Sequence, residues 1–206
     1  MEERTKTVTE TEKEEDCLEQ PYLVIENYLK KLYYGWEGRG QFDGTGARLV
    51  RSLHEFCWTS EAIETEVQKA LKAEFDYNVD EMLVEGPIDV WTLCPHHLLP
   101  CRFTTYIGYI PTGQVLGLSK FARIAIALGK RPVIQEMYTK ELADIINNAL
   151  KPKGTGVFVA GQHGCMQSRG IKQQANVTTA VLHGSIKDRP EARAEFYSLV
   201  RERNGR

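Results

Sequence analysis

The chain has 206 residues, 42% hydrophobic and 26% charged, with a formal charge of −2. This is the composition of a soluble globular protein. No run approaches the ~18 apolar residues of a membrane span, and MEERTKTVTETEKEED lacks the apolar centre of a signal peptide, so a cytoplasmic protein is expected. Residues 1–20 carry eight acidic and three basic side chains, a balance of −5, which leaves +3 on the rest. That is too weak a basic excess for a nucleic-acid binder. Five cysteines (17, 57, 94, 101, 165), odd in number and widely spaced, argue against a disulfide framework, and no C-x-x-C pair is present.

In chain order, residues 1–18 read as a disordered acidic tail. Apolar residues at helical spacing from Tyr22 to Leu32 (Leu23, Ile25, Tyr28, Leu29) predict a helix. GWEGRGQFDGTG (35–46) reads as loop and lacks the order of a phosphate-binding loop. Helices are expected over 46–57 and 60–73, closing an N-terminal helical region, 19–75, ahead of a catalytic domain, 76–206. Segments 82–93, 103–110, 154–165 and 176–186 are rich in β-branched and aromatic residues and predict strands. PTGQ (111–114) reads as a turn. Between the second and third strands lie two helices. In the first, SKFARIAIALGK, Phe121, Ile124, Ala125 and Leu128 share a face. The second is expected to begin at Pro132. A last helix, 190–203, also opens on proline and turns Phe196, Leu199 and Val200 inward. Strands and helices come in runs, which predicts an α+β fold.

Cys94 and His97, in CPHHLLP, have the spacing of half a tetrahedral zinc site. A buried cysteine beside backbone-bonded histidines fits that spacing too. VFVAGQHGC offers a second half. If strand alternation continues, Val157, Val159, His163 and Cys165 share a face. Cys94, His97 and Cys165 would then be three ligands with a fourth position open for water. His96 and His163 would remain beside the metal for acid/base work.

In SKFAR, Ser119 is a good N-cap, placing Lys120 and Arg123 on one face of the first turn. Cations there oppose the helix dipole, which an anion such as phosphate would offset. A solvated basic face fits equally. Arg169 and Arg48 could join the cluster. Gln135 and Glu136 open the long helix, and a carboxylate there could accept two hydrogen bonds from a guanine edge. Cys17, His54, Cys57, Cys101 and His183 read as structural.

CPHHLLP, YIPTGQVLGLSKFARI, RPVIQEMYTKELA and QHGCMQSRGI, in this order and spacing, resemble the GTP cyclohydrolase I family. The resemblance covers residues ~20–203 and is densest from Val84. It implies one zinc ion per subunit on Cys94, His97 and Cys165, and an acid/base pair of His96 and His163. It implies triphosphate binding by Ser119, Lys120, Arg123, Arg169 and Arg48, and guanine recognition by Gln135 and Glu136. It also implies the tunnelling (T) fold, an antiparallel sheet with helices on one side, assembled as a toroidal homodecamer with sites at subunit interfaces. The implied reaction hydrolyses GTP at C8, releases formate and, through an Amadori rearrangement of the ribose, yields 7,8-dihydroneopterin triphosphate. Two departures stand out. TGAR (45–48) replaces the family's T-P-x-R, and Pro95 stands where the family has glutamate. They leave open a divergent paralogue that binds a purine nucleotide but stops at a ring-opened intermediate or is non-catalytic.

Overall fold

The computed structural model describes residues 22–72, 74–76 and 80–204. The tail expected over 1–18, with Cys17, lies outside them. Between Glu55 and Phe56 the chain divides into two compact units.

The first unit contains helix α1 (22–32), a 3-10 turn (Glu37–Phe42) and most of α2 (Thr45–Phe56). The glycine-rich stretch is therefore partly helical. The rings of Tyr33, Trp36 and Phe42 cluster there, with centroids 5.4–5.8 Å apart. Gly46 lies so close to the Tyr22 carbonyl that a Cβ would sit 2.1 Å from its oxygen.

In the second unit, α3 (Ser60–Leu71) starts where the Thr59 hydroxyl accepts the Ala62 N–H. Strand β1 (Glu74–Asp76) pairs with β4 (Gln114–Leu116) as a two-stranded ribbon. The main sheet is antiparallel, in the order β2 (Leu83–Leu93), β3 (Pro100–Ile110), β5 (Gly154–His163), β6 (Asn176–His183). Helices α4 (Leu118–Gly129) and α5 (Gln135–Leu150) cover the face carrying Val90, Phe103, Ile107, Val157 and Val159. Phe121, Ile124, Ala125 and Leu128 of α4 are all buried there, as their spacing predicts. Burying each large side chain stabilises by about 1.5–3 kcal/mol relative to exposure. On the opposite face, α7 (Gly184–Asp188) and α8 (Pro190–Asn204) set Ile186, Phe196 and Val200 against Tyr106. The α+β fold with its antiparallel sheet is thus observed. Helices α4 and α5 share one side, as expected, but α7 and the 15-residue α8 pack a smaller cluster on the other, so the helices are not confined to one side.

Several boundaries differ from expectation: β6 ends at His183, where α7 begins, α3 ends at Leu71, and four others each have a local reason. Helix α5 starts at Gln135, because the Val133 N–H is drawn to the Leu93 carbonyl at the end of β2, 3.1 Å away. Pro132 therefore lies before the helix. Helix α4 starts at Leu118, because Leu116 still pairs in the ribbon and the chain turns at Gly117. Ser119 is thus inside the first turn rather than the N-cap. Strand β3 begins three residues early, Pro100 pairing with Leu93. Strand β5 stops at His163 and the chain enters a short helix, α6 (Gly164–Gln167).

Candidate metal centre

The candidate site forms at the end of the sheet where β2 finishes, β3 begins and β5 finishes. After Leu93 the chain makes a tight turn in which the Cys94 carbonyl accepts the N–H groups of His97 (3.4 Å) and Leu98 (2.8 Å). Pro95 occupies the second position of this turn, where proline is favoured, and its missing N–H is not called upon. The Cys94 Sγ lies 3.7 Å from Nδ1 of His96 and 3.6 Å from Nδ1 of His97. Cys94 is buried and both histidines are exposed.

Cys165 reaches the same place from α6. Gly164 makes the approach possible, since a Cβ there would sit 2.5 Å from the Pro100 carbonyl oxygen. The ligating atoms of Cys94, His97 and Cys165 lie within 4.8 Å of one another. The three predicted ligands therefore converge, although Cys165 stands on a helical turn and not on the strand. The donor chemistry fits zinc, which takes thiolate and imidazole ligands.

A residue read from sequence as structural also belongs to this cluster. Cys101 pairs in register with His163 across β3 and β5, and its Sγ is 3.6 Å from His163 Nδ1. The signal was present in the alternation Cys101, Phe103, Thr105, Ile107, Tyr109, which continues the inward face of β3 back to the turn. Burial, with the Cys165 and Cys94 thiols nearby, pushes the Cys101 thiol up to about 12. Burial and a hydrogen bond with Cys94 raise Cys165 as well. A cation among these sulfurs reverses such directions. Burial lowers the pKa of His163, opposed by the negative charge of Glu136.

His163 is held from the other side by Gln135. Its Nε2 lies 2.8 Å from Gln135 Oε1. The Gln135 amide nitrogen donates to the carbonyls of Val159 and Val177 and lies 3.1 Å from the Thr179 hydroxyl. Gln135 is 1% exposed, so its side chain is committed to His163 and the sheet and has no donor left for a purine base. Glu136, the next residue, is exposed in the first turn of α5.

The expected anion-binding residues divide. Arg169 is exposed just beyond α6, at the metal end. Ser119, Lys120 and Arg123 stand at the other end of the sheet, where α4 begins and Phe121 packs on Tyr109 with ring centroids 5.1 Å apart. Eight residues of β3 separate Tyr109 from Cys101, roughly 26 Å at strand rise. Arg123 also contacts Glu66 at 3.4 Å. Arg48, in the first unit, bonds the Asp43 and Gln41 carbonyls and the Thr45 hydroxyl of its own loop. His183 sits outside the cluster, 3.0 Å from Asp144.

The family model for GTP cyclohydrolase I matches residues 25–201. GTP cyclohydrolase 1 of Chlorobium phaeovibrioides is 32% identical over 200 residues, 91% of this chain and 88% of that protein. The enzyme of the same name from Coxiella burnetii is 40% identical over 132 residues, covering 64% and 72%. The human one is 42% identical over 130 residues, covering 63% and 52%. Among solved structures, an archaeosine synthase QueF-Like in the apo form aligns at a TM-score of 0.40 and 20% identity, over 50% of this chain and 92% of that one.

Proposed function

The chain belongs to the GTP cyclohydrolase I family of enzymes, and from that premise we propose that it hydrolyses GTP at C8, releases formate and returns 7,8-dihydroneopterin triphosphate. The observation that carries this reading is the convergence of Cys94, His97 and Cys165 within 4.8 Å, with His96 beside them. Three such ligands would hold one zinc ion per subunit with a fourth position open. Bound there, zinc would supply Lewis acidity and lower the pKa of a water toward ~7.

The chain's own residues do the rest. His96, exposed and adjacent to Cys94, delivers a proton to the imidazole ring of the purine. His163, fixed in orientation by Gln135, moves protons as the ring opens and formate leaves. Glu136 accepts the guanine N–H edge and sets C8 toward the metal end. Because the Gln135 side chain is spent on His163, base recognition from this helix falls to Glu136. Ser119, Lys120, Arg123, Arg169 and Arg48 hold the triphosphate, the α4 N-terminus adding its free N–H groups.

The separation of α4's first turn from the cysteines bears on assembly. That span is longer than a GTP held at Cys94 would bridge to Lys120 of the same chain. Supply of Lys120 by a second copy fits it and supports the reading of a homo-oligomer with sites between subunits, as in a toroidal decamer. Steady-state turnover and zinc content of two variants test the assignment. Cys165→Ala loses zinc and turnover together. His96→Ala keeps zinc and loses turnover by about 10²-fold or more, the usual scale of general acid–base catalysis. An unchanged rate in His96→Ala removes that histidine from the mechanism. GTP binding without formate release in the wild type supports the arrested or non-catalytic paralogue instead.

A further inference from the structure

The metal end of the sheet holds more ligating groups than one open zinc site needs. Cys101 Sγ, a ring nitrogen of His163 and Cys165 Sγ also lie within 4.8 Å of one another. We propose that Cys101, His163 and Cys165 form a second metal-ligand set, sharing Cys165 with the first, that takes a thiophilic divalent cation such as zinc.

The hydrogen bonds around Gln135 carry the argument. The carbonyls of Val159 and Val177 can only accept, so the Gln135 atom facing them is its NH2 group. The atom facing His163 is therefore the amide oxygen, which can only accept. His163 Nε2 must then bear the proton, and Nδ1 carries a lone pair directed at Cys101 Sγ, 3.6 Å away. An imidazole that donates one N–H to an amide oxygen and presents its other nitrogen to sulfur is arranged as a metal-ligating histidine with its supporting shell. Backbone register adds rigidity, since Cys101 and His163 are directly paired across two central strands. Two thiolates and an imidazole make a donor set as suitable for zinc as the first.

The two sets differ in consequence. Cys165 is common to both, and only the second engages His163. In the second set an ion takes up the Nδ1 lone pair and withdraws His163 from proton transfer, so this is a resting form of the site.

The test removes the first set and leaves the second. A Cys94→Ser/His97→Ala double variant is loaded with Co2+, read by equilibrium dialysis and by the sulfur-to-cobalt charge-transfer band. One Co2+ per chain with a thiolate band is expected. Adding Cys101→Ala abolishes both, and adding Gln135→Leu weakens binding about 10–100-fold, the usual effect of losing a supporting contact. Should Cys101→Ala fail to fold by circular dichroism, His163→Ala in the same background reads the same loss. No cobalt on the double variant, or binding indifferent to Cys101 and His163, overturns the proposal. Formate release by the wild-type chain reads the proposed activity separately, so the two can fail independently.

Discussion

At Gly161, one missing methyl group is a condition of the site. A Cβ there would lie 2.0 Å from Gln135 Oε1 and 3.0 Å from His163 Nε2. Gly161→Ala is therefore expected to push Gln135 off the imidazole and lower turnover while zinc content stays near that of the wild type. Turnover per bound zinc reads it. Glu85 makes a second residue-scale case. Burial raises its carboxyl to about 7, only partly opposed by Arg203, and its Oε2 has no hydrogen-bond partner among the described residues. The folded chain thus keeps a proton that the unfolded chain has lost between pH 4.5 and about 7. Stability contributed by this group falls as pH rises through that window and is level above it. Glu85→Gln should flatten the slope in denaturant midpoints measured across the window and be the more stable protein at pH 8. A slope that persists unchanged assigns it to other groups. Residue identities and spacing made Cys94, His97, Cys165, His96 and His163 legible in the sequence. The place of Cys101 beside His163, 62 positions on, depends on the register of β3 on β5, and the Gln135–His163 contact, 28 positions apart, on how α5 packs against the sheet; spacing along the chain gives neither. Pro95 looked anomalous in sequence and fits the turn it occupies.

At the scale of elements, helical spacing of apolar residues and runs rich in β-branched and aromatic residues predicted the long helices and all four strands of the main sheet. The errors fell at ends, where a single long-range hydrogen bond or strand pair decides. The ribbon of β1 and β4 was missed because three residues carry too little pattern. Helix α5 illustrates what the periodic face contributes. Ile146 is fully buried against the sheet whereas Met137, on the same helix, is 60% exposed. Ile146→Ala should cost about 2–5 kcal/mol, read as a lowered urea midpoint with an unchanged slope. Met137→Ala should stay within roughly 0.5 kcal/mol of the wild type. Equal effects would mean that α5 is not held by the face assigned to it.

For the whole molecule, composition and charge argued against nucleic-acid and membrane roles, and among the described residues no helix is long and apolar enough to cross a membrane. What composition could not reveal is that one sheet carries its candidate metal ligands and its SKFAR helix start at opposite ends. A site that joins them between copies makes a specific prediction. Lys120→Ala and His96→Ala subunits, each nearly inactive alone, should regain activity when dissociated together and reassembled. Some interfaces then combine an intact metal end with an intact α4. No recovery in mixed assemblies would place both residues in one subunit's site. The most direct test of the account is incubation of zinc-loaded protein with GTP, following formate and, after oxidation, pterin fluorescence. The account predicts that both products accumulate in equal amounts over many turnovers. Formate without pterin, or neither product despite bound zinc and GTP, would contradict it.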